Sequence, residues 1–207
     1  AGPTHEYIDP VRFLSNPSSG KMGFEIARAA WYRGAEVTLV SGPVSLVPPA
    51  GVSVVNVTSA QQMYEACMDE AADADIIIKA AAVGDFRVQE ESAQKIKRKK
   101  GEDLVLSLVQ NRDIAAELGR VKKPGQILVG FAAETQDLAA NAQKKMASKN
   151  LDIIAVNDVL AKGVGFACDT NSITVMARGC PDVKCSGGKD EVADALLDAV
   201  LRSKTRG

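Results

Sequence analysis

The 207-residue sequence predicts one three-layer α/β domain built on a mostly parallel sheet. Three observations carry that expectation. Strand-like and helix-like patterns alternate from end to end. Two apolar runs, Asp75-Ile-Ile-Ile-Lys-Ala-Ala-Ala-Val83 and Ile127–Phe131, are too continuous for strands with one wet face and suit strands covered on both. A turn rich in serine and glycine, Ser18-Ser-Gly-Lys-Met-Gly23, opens directly onto a helical pattern.

Taken in order, the chain opens on Ala1-Gly2-Pro3-Thr4, with no initiator methionine and no strand ahead of the Asp9-Pro10 turn. It reads as a piece of something longer, and a strand and a whole domain are expected before residue 1. Met22, Ile26, Ala29, Ala30 and Arg33 recur at helical spacing and define the first helix. Glu36–Ser41 is a strand closed by Gly42-Pro43, and Val52–Val57 is another. Thr58-Ser59 caps a helix to about Ala72, with Met63, Ala66 and Cys67 on one side. Beyond the apolar strand, Gly84 to Lys100 is polar and irregular. Leu104–Val109 is a strand, and Asn111-Arg112-Asp113 starts a helix to about Val121. Ile127–Phe131 is a strand, Thr135 starts a helix to about Asn150, and Leu151–Val156 is a strand. Gly163–Asn171 is a loop, Ser172–Arg178 an edge strand, and Lys189–Arg202 the last helix.

Composition excludes several classes of function. Apolar residues make up 46% and charged residues 25%, with a net charge of −1, so no global field draws the protein to nucleic acid or to a membrane. No apolar run is long enough to span a bilayer. Cys67, Cys168, Cys180 and Cys185 lack paired zinc-ligand spacing and suit reduced thiols in the cytoplasm. His5 is the only histidine, which argues against histidine-based metal sites and histidine-assisted hydrolysis. The run Lys95-Ile-Lys-Arg-Lys-Lys100 holds five cations in six positions. It is either a solvated loop or a mobile flap, about residues 84–101, hinged at Gly84 and Gly101 and able to close a lysine over a triphosphate. With few aromatics and no second basic patch, an RNA surface is disfavoured.

The helix mouth is the strongest site signal. Its first backbone N–H groups lack carbonyl partners and point outward, which suits a phosphate. Arg12, Asn16 and Lys21 flank it. This is not a P-loop, because Ser15 stands where that motif has its first glycine and Met22 where it has the magnesium-binding hydroxyl. Nor is there a G-x-G-x-x-G. Ligands of open α/β sheets lie beyond the carboxyl ends of the strands. Those ends deliver Ala80–Arg87, Val109–Asp113, Gly130–Thr135 and Ala155–Asp158. Asp85, Asn111, Asp113, Glu134, Asn157 and Asp158 are therefore expected in one crevice with Gly20. Lys145 and Lys149 share a helical face, with Lys144 beside them; they either complement the helix dipole or reach a nucleotide. Phe131 is either core or a platform for a base.

Together these pieces resemble bacterial phosphopantothenoylcysteine synthetase, the ligase half of the bifunctional coenzyme A biosynthesis protein, a family with a Rossmann-like fold. The likeness covers nearly the whole chain. It rests on the opening Ala1-Gly-Pro-Thr4, on Asp9-Pro-Val-Arg-Phe-Leu-Ser-Asn16 with Ser18-Ser-Gly-Lys-Met-Gly23, on Ala80-Ala-Ala-Val-Gly-Asp85, and on Lys95-Ile-Lys97. Val129-Gly-Phe-Ala-Ala-Glu-Thr135, Lys149-Asn-Leu-Asp152 and Ala155-Val-Asn-Asp158 complete it. Gly84, where the family often has alanine, and Pro17 after Asn16 are small departures that bear on loop geometry.

The resemblance implies a CTP-dependent ligase that joins 4'-phosphopantothenate to L-cysteine through an acyl-cytidylate, releasing pyrophosphate and then CMP. It implies that Ser18, Ser19, Gly20, Lys21, Met22 and Gly23 hold phosphate. Lys95 would serve the first half-reaction, and Asn16, assisted by Arg12, the second. Lys79, Ala80, Ala81, Asp85, Val109, Gln110, Asn111, Arg112, Phe131, Lys145 and Lys149 would form the CTP site, with Asp113 and Asp158 as lesser candidates. It further implies Mg²⁺ carried by the triphosphate rather than by a protein metal site, a homodimer, and a fused decarboxylase domain that holds FMN and precedes residue 1. The alternatives are an ATP-using relative of the same ligase and a nucleotide-binding Rossmann-type module without ligase activity. The lack of G-x-G-x-x-G and of Tyr-x-x-x-Lys disfavours the module.

Overall fold

The computed structural model describes residues 1–98, 100–134, 138–158 and 168–204, without the side chains of 133, 134, 138 and 158. In chain order the elements are β1 (Glu6–Tyr7), β2 (Phe13–Leu14), α1 (Lys21–Tyr32), β3 (Thr38–Ser41), β4 (Ser53–Asn56), α2 (Ala60–Ala71), β5 (Ile76–Lys79), β6 (Phe86–Val88), β7 (Leu108–Gln110), α3 (Ile114–Val121), β8 (Ile127–Glu134), α4 (Leu138–Ser148), β9 (Ile153–Asp158), β10 (Thr170–Ala177), β11 (Val183–Gly188) and α5 (Lys189–Lys204). The alternation read from the sequence holds, and the predicted α/β class with it.

The central sheet has the order β11-β10-β9-β8-β5. β5, β8 and β9 pair in parallel, and β10 runs against both its neighbours. Period-two alternation sends its side chains into two layers. Ile127, Val129, Ile153, Ala155, Ile173 and Val175 pack with Ile26 and Ala29 of α1 and with Val192, Leu196 and Val200 of α5. Leu128, Ile154, Val156 and Met176 face the other way, onto Met63 of α2, Ile114 and Leu118 of α3 and Ala142 and Met146 of α4. The apolar runs thus carry both cores, which is why they lack polar alternation.

β3 and β4 pair in parallel as a separate ribbon over Phe24 and Ala27 of α1. Residues 1–5 lie extended between this ribbon and the central sheet. The Gly42 amide donates to the Ala1 carbonyl at 2.9 Å and the Ala82 amide to the Gly2 carbonyl at 2.9 Å. Pro3 bridges Ala82 in parallel, and the His5 amide reaches the Thr58 carbonyl at 2.8 Å. No strand was expected before the Asp9-Pro10 turn, because Ala-Gly-Pro-Thr has poor strand propensity. The open amides and carbonyls on either side impose the conformation instead.

Several further boundaries differ from expectation. Residues 9–15 are not only a turn: β1 and β2 form a short antiparallel hairpin. The stretch 84–100 is not wholly irregular, since β6 pairs antiparallel with β7. Regular structure in 104–110 shrinks to β7, because Leu104 and Val105 are 54% and 88% exposed with nothing to cover them. β10 is not an edge strand, because β11 pairs outside it through Cys185 and Val183. The Gly187-Gly188 tail and the Pro181-Asp182 start of β11 hid it from propensity arguments. Helix α4 stops at Ser148, and Asn150 then adopts a left-handed φ of 49°, a conformation asparagine tolerates at a helix end. The expected start at Thr135 lies outside the described residues. The two hairpins leave Val11, Phe13, Phe86 and Leu108 exposed. No described helix is long and apolar enough to cross a membrane.

Candidate functional site

Helix α1 begins without a side-chain cap. Gly20 stands at its N-cap with φ 77°, and no acidic residue lies in the first turn. A Cβ at Gly20 would sit in that left-handed conformation 2.8 Å from the Val44 methyl, so only glycine fits without strain. The amides of Lys21, Met22 and Gly23 have no intrahelical carbonyl to reach, and the dipole leaves this end positive. By contrast, α2 is fully capped. Ser59 and Gln62 form a reciprocal capping box there, and the buried Glu6 carboxylate accepts from the Ala60 amide at 2.9 Å. The bare end is therefore a property of α1, not of the fold.

This end opens onto a cleft of about 300 Å³ beyond the carboxyl ends of β5, β8 and β9. Ser18 to Gly23 form one wall. Lys79 to Val83 and Asp85 form another, and Phe131, Ala132 and Asn157 close the third side. Ala80 to Ala82 present only methyl groups, so a flat ring or a phosphate chain can approach the backbone. A larger concavity of about 720 Å³ lies at the opposite end of the sheet, around Met146, Asn150, Arg178 and Cys180. It has neither an uncapped helix N-terminus nor the carboxyl ends of the parallel strands in its lining, so size alone does not select the site.

Lys79, the last residue of β5, lines the cleft together with Lys21 and Lys189 and adds to its positive charge. Burial pushes its ammonium below the ordinary lysine value, and repulsion from Lys149 adds to that; Asp113 and Asp85 pull the other way. An anion in the cleft would relieve both penalties. Lys149 is ion-paired with Asp113 at 2.8 Å. Burial opposes ionisation of Asp113, but the Lys149 ammonium and the Ala116 amide outweigh it and hold that carboxyl below its usual pKa. Asp113 is thus both the N-cap of α3 and a counterion, with its oxygens already engaged.

Asn16 sits at the rim, where its side-chain amide donates to the Ala82 carbonyl at 3.1 Å and the Val83 carbonyl at 3.2 Å. It thereby ties the serine turn to the end of β5. Asn111 plays a similar part lower down, donating to the Gly84 carbonyl at 2.8 Å and accepting from Arg87 at 3.1 Å. Its backbone amide also holds the Asp85 carbonyl at 2.8 Å, which fixes the peptide that carries Asp85.

Of the residues expected in the site, Ser18, Ser19, Gly20, Lys21, Met22, Gly23, Lys79, Ala80, Ala81, Asp85 and Phe131 line the cleft. Asn157, expected at a strand end, does too. Val109 and Gln110 lie in β7 beside β6, and Arg112 stacks over the Tyr64 ring at 4.8 Å. Lys145 is in the last turn of α4. Lys95 is exposed, and Arg12 pairs with Asp9. The side chains of Glu134 and Asp158 lie outside the described residues. The basic run is described except for Lys99.

Two lining residues, Asn171 and Lys189, escaped the sequence argument. Asn171 is buried and donates to the Asn157 side-chain oxygen at 3.0 Å, which sets the orientation of that amide. Lys189 is only 5% exposed, and its ammonium donates to the Cys168 carbonyl. Burial and the nearby Lys21 lower its pKa, against attraction from Cys168 and Asp169. A signal existed: Lys189 starts a helix, where a cation opposes the dipole and needs a reason to be. Lys21 itself is held by Asp169 at 2.5 Å. Among the described residues no cluster of three acidic, cysteine or histidine side chains is placed to hold a metal.

Residues 1–203 match the profile of the DNA/pantothenate metabolism flavoprotein C-terminal domain family. Among curated proteins, the coenzyme A biosynthesis bifunctional protein CoaBC of Bacillus subtilis (strain 168) is 52% identical over 179 residues, covering 86% of this chain and 44% of that protein. The chain spans about half the length of the curated relatives it matches. Among solved structures, the crystal structure of the C-terminal domain of a coenzyme A biosynthesis bifunctional protein CoaBC superposes with a TM-score of 0.84 at 38% identity, over 100% of this chain and 94% of that one. A Cab2 variant in complex with phosphopantothenate-cysteine shares the fold at 14% identity and a TM-score of 0.79, over 99% of this chain and 85% of that one.

Proposed function

The chain belongs to the DNA/pantothenate metabolism flavoprotein C-terminal domain family, and from that membership we propose that it is a coenzyme A biosynthesis ligase joining 4'-phosphopantothenate to L-cysteine with CTP. One observation carries the reading. The uncapped N-terminus of α1, the half-buried Lys79 and the carboxylate of Asp85 face one cleft whose floor is nearly bare backbone. That arrangement suits a nucleoside triphosphate: phosphate at the helix mouth, cations around it, and Phe131 beside the small residues where a base can lie flat.

The chemistry follows from what a carboxylate lacks. It does not form an amide in water until an oxygen is made a leaving group. In the first half-reaction the phosphopantothenate carboxylate attacks the α-phosphorus of CTP, and the α–β bridging oxygen leaves with pyrophosphate. In the second, the cysteine amine attacks the acyl carbonyl, loses a proton and expels CMP. Both steps build negative charge on oxygens, so positioned donors and cations serve better than a protein nucleophile. Lys95 is assigned to the α-phosphate and acyl oxygen, the Ser18–Gly23 turn to phosphate, and Asn16, with Arg12, to the acyl-cytidylate. Mg²⁺ fits this donor set: it binds through one or two carboxylates plus phosphate oxygens and water, and among the described residues Asp85 is the carboxylate in the lining. Bound there it would neutralise charge on the triphosphate. FMN belongs to the decarboxylase domain proposed for the full-length protein.

Incubation with 4'-phosphopantothenate, cysteine, Mg²⁺ and each nucleoside triphosphate in turn tests the reading by mass spectrometry. The amide and CMP should form with CTP in strong preference to ATP. Equal turnover of ATP would move the chain to the ATP-using relatives, and no amide with any nucleotide would leave a binding module. A homodimer is proposed to cover the exposed Val11, Phe13, Phe86 and Leu108. Light scattering should give twice the chain mass at micromolar concentration, and a monomer would refute that. Cys67, Cys168, Cys180 and Cys185 are thiols rather than disulfides, which supports a cytoplasmic setting.

A further inference from the structure

The Asp9 side chain has no exposed surface, yet it lies outside the cleft lining and no step above uses it. Its two oxygens divide their work. Oδ1 accepts from the Val11 and Arg12 amides, each at 2.9 Å, and so closes the hairpin turn. Oδ2 accepts from the Arg12 guanidinium, through Nε at 2.9 Å and through Nη2, and from the Ile96 amide at 3.1 Å. Arg12 completes the loop by donating to the Ile96 carbonyl at 2.7 Å. Both backbone polar groups of residue 96 are therefore captured by one ion pair from the far side of the chain. A third bond, from the Ser92 amide to the Ile8 carbonyl at 3.0 Å, runs alongside.

The Ile96 amide belongs to the peptide plane that leaves Lys95. Fixing that plane fixes the Cα from which the Lys95 side chain swings. Around it the chain is exposed and has no regular pairing between β6 and β7. The Ser92 hydroxyl donates to the Gln94 carbonyl at 2.7 Å, but that bond lies within the loop; it is the clasp that ties the Lys95–Ile96 peptide to the hairpin across the fold.

We infer that Asp9 is a positioning residue for the first half-reaction: its buried carboxylate orients Arg12 and pins the Lys95–Ile96 peptide, so that Lys95 reaches the α-phosphate from a fixed base. The inference rests on the assignment of Lys95 made above. Its chemistry is specific to a carboxylate. An asparagine has the same shape but accepts on one side only, so either the hairpin amides or the Arg12–Ile96 side must face an NH₂ group. The charge on Arg12 would then be unpaired as well.

The test compares the full chain with Asp9→Asn, Asp9→Glu and Lys95→Gln, each first shown to unfold cooperatively. Two quantities are read: the initial rate of tryptic cleavage after Lys97 and Arg98 without ligand, and pyrophosphate release from CTP and phosphopantothenate. Asp9→Asn should raise cleavage by about tenfold, as a released loop opens more often. It should lower kcat for pyrophosphate release by about 10²-fold while leaving the KM for CTP within about twofold, since misplacement by an ångström costs rate rather than affinity. Asp9→Glu, which keeps the charge, should recover part of both. If Lys95→Gln stops pyrophosphate release but Asp9→Asn does not, Asp9 has no positioning role and the ligase assignment stands. Loss of rate in Asp9→Asn with unchanged cleavage overturns the inference equally. An unimpaired Lys95→Gln overturns the Lys95 assignment and this inference with it.

Discussion

Lys95→Gln is expected to slow pyrophosphate release by about 10²–10³-fold, the usual cost of removing one positioned charge from a phosphoryl transition state. Glutamine keeps a donor and much of the length but not the charge. The clasp through Asp9 and Arg12 holds the main chain at Ile96, not the Lys95 side chain, so the loop should stay where it is. The triphosphate contacts proposed for α1 and Lys79 are likewise untouched. The loss should therefore fall on kcat, with the KM for CTP little changed, as for an interaction made mainly in the transition state. Rapid-quench measurement of pyrophosphate against time checks this, and undiminished release would refute the role.

Asn16→Asp is expected to do the opposite: to let acyl-cytidylate form and then accumulate. The geometry supplies the reason. The Asn16 amide donates to both the Ala82 and Val83 carbonyls. An ionised aspartate cannot donate, so it would place a negative oxygen against two carbonyl oxygens at a little over 3 Å. Either the serine turn or the end of β5 must move away, and the rim that would hold the acyl group loosens. It also adds negative charge beside a phosphorylated intermediate. The amide-forming step should drop by about 10²-fold, and the intermediate should become visible by mass when cysteine is limiting. A normal rate of CMP release from this variant would rule the role out.

What was legible in the sequence was what a short stretch can encode. The buried strands announced themselves because Leu128 and Val129, or Ile154 and Ala155, must face opposite cores at consecutive positions. The helix mouth announced itself because its chemistry lies within Ser18 to Gly23. Lys79 came from the family likeness. The strand-end rule brought Asp85, Phe131 and Asn157 to the cleft, which they line, but also Asn111 and Asp113, which lie outside its lining. It could not find Lys189 or Asn171, which reach the cleft from the last helix and from β10, both distant in sequence from the opening turn. Nor could it separate the two parts of Asp9-Pro-Val-Arg12. That stretch reads as a turn with a useful arginine; only the fold shows that its aspartate closes on a loop more than eighty residues away. Glu6 is a parallel case, a carboxylate spent on capping α2 across the fold.

The extended segment of residues 1–5 has a consequence for how the domain comes into being. It is the seam between ribbon and central sheet, and its partners Gly42, Thr58 and Ala82 all leave the ribosome after it. This stretch of the domain therefore waits for partners made well after it. Until Ala82 has emerged, the growing polypeptide carries an unclosed seam along its middle, and the rim set by Asn16 against Ala82 and Val83 cannot yet exist.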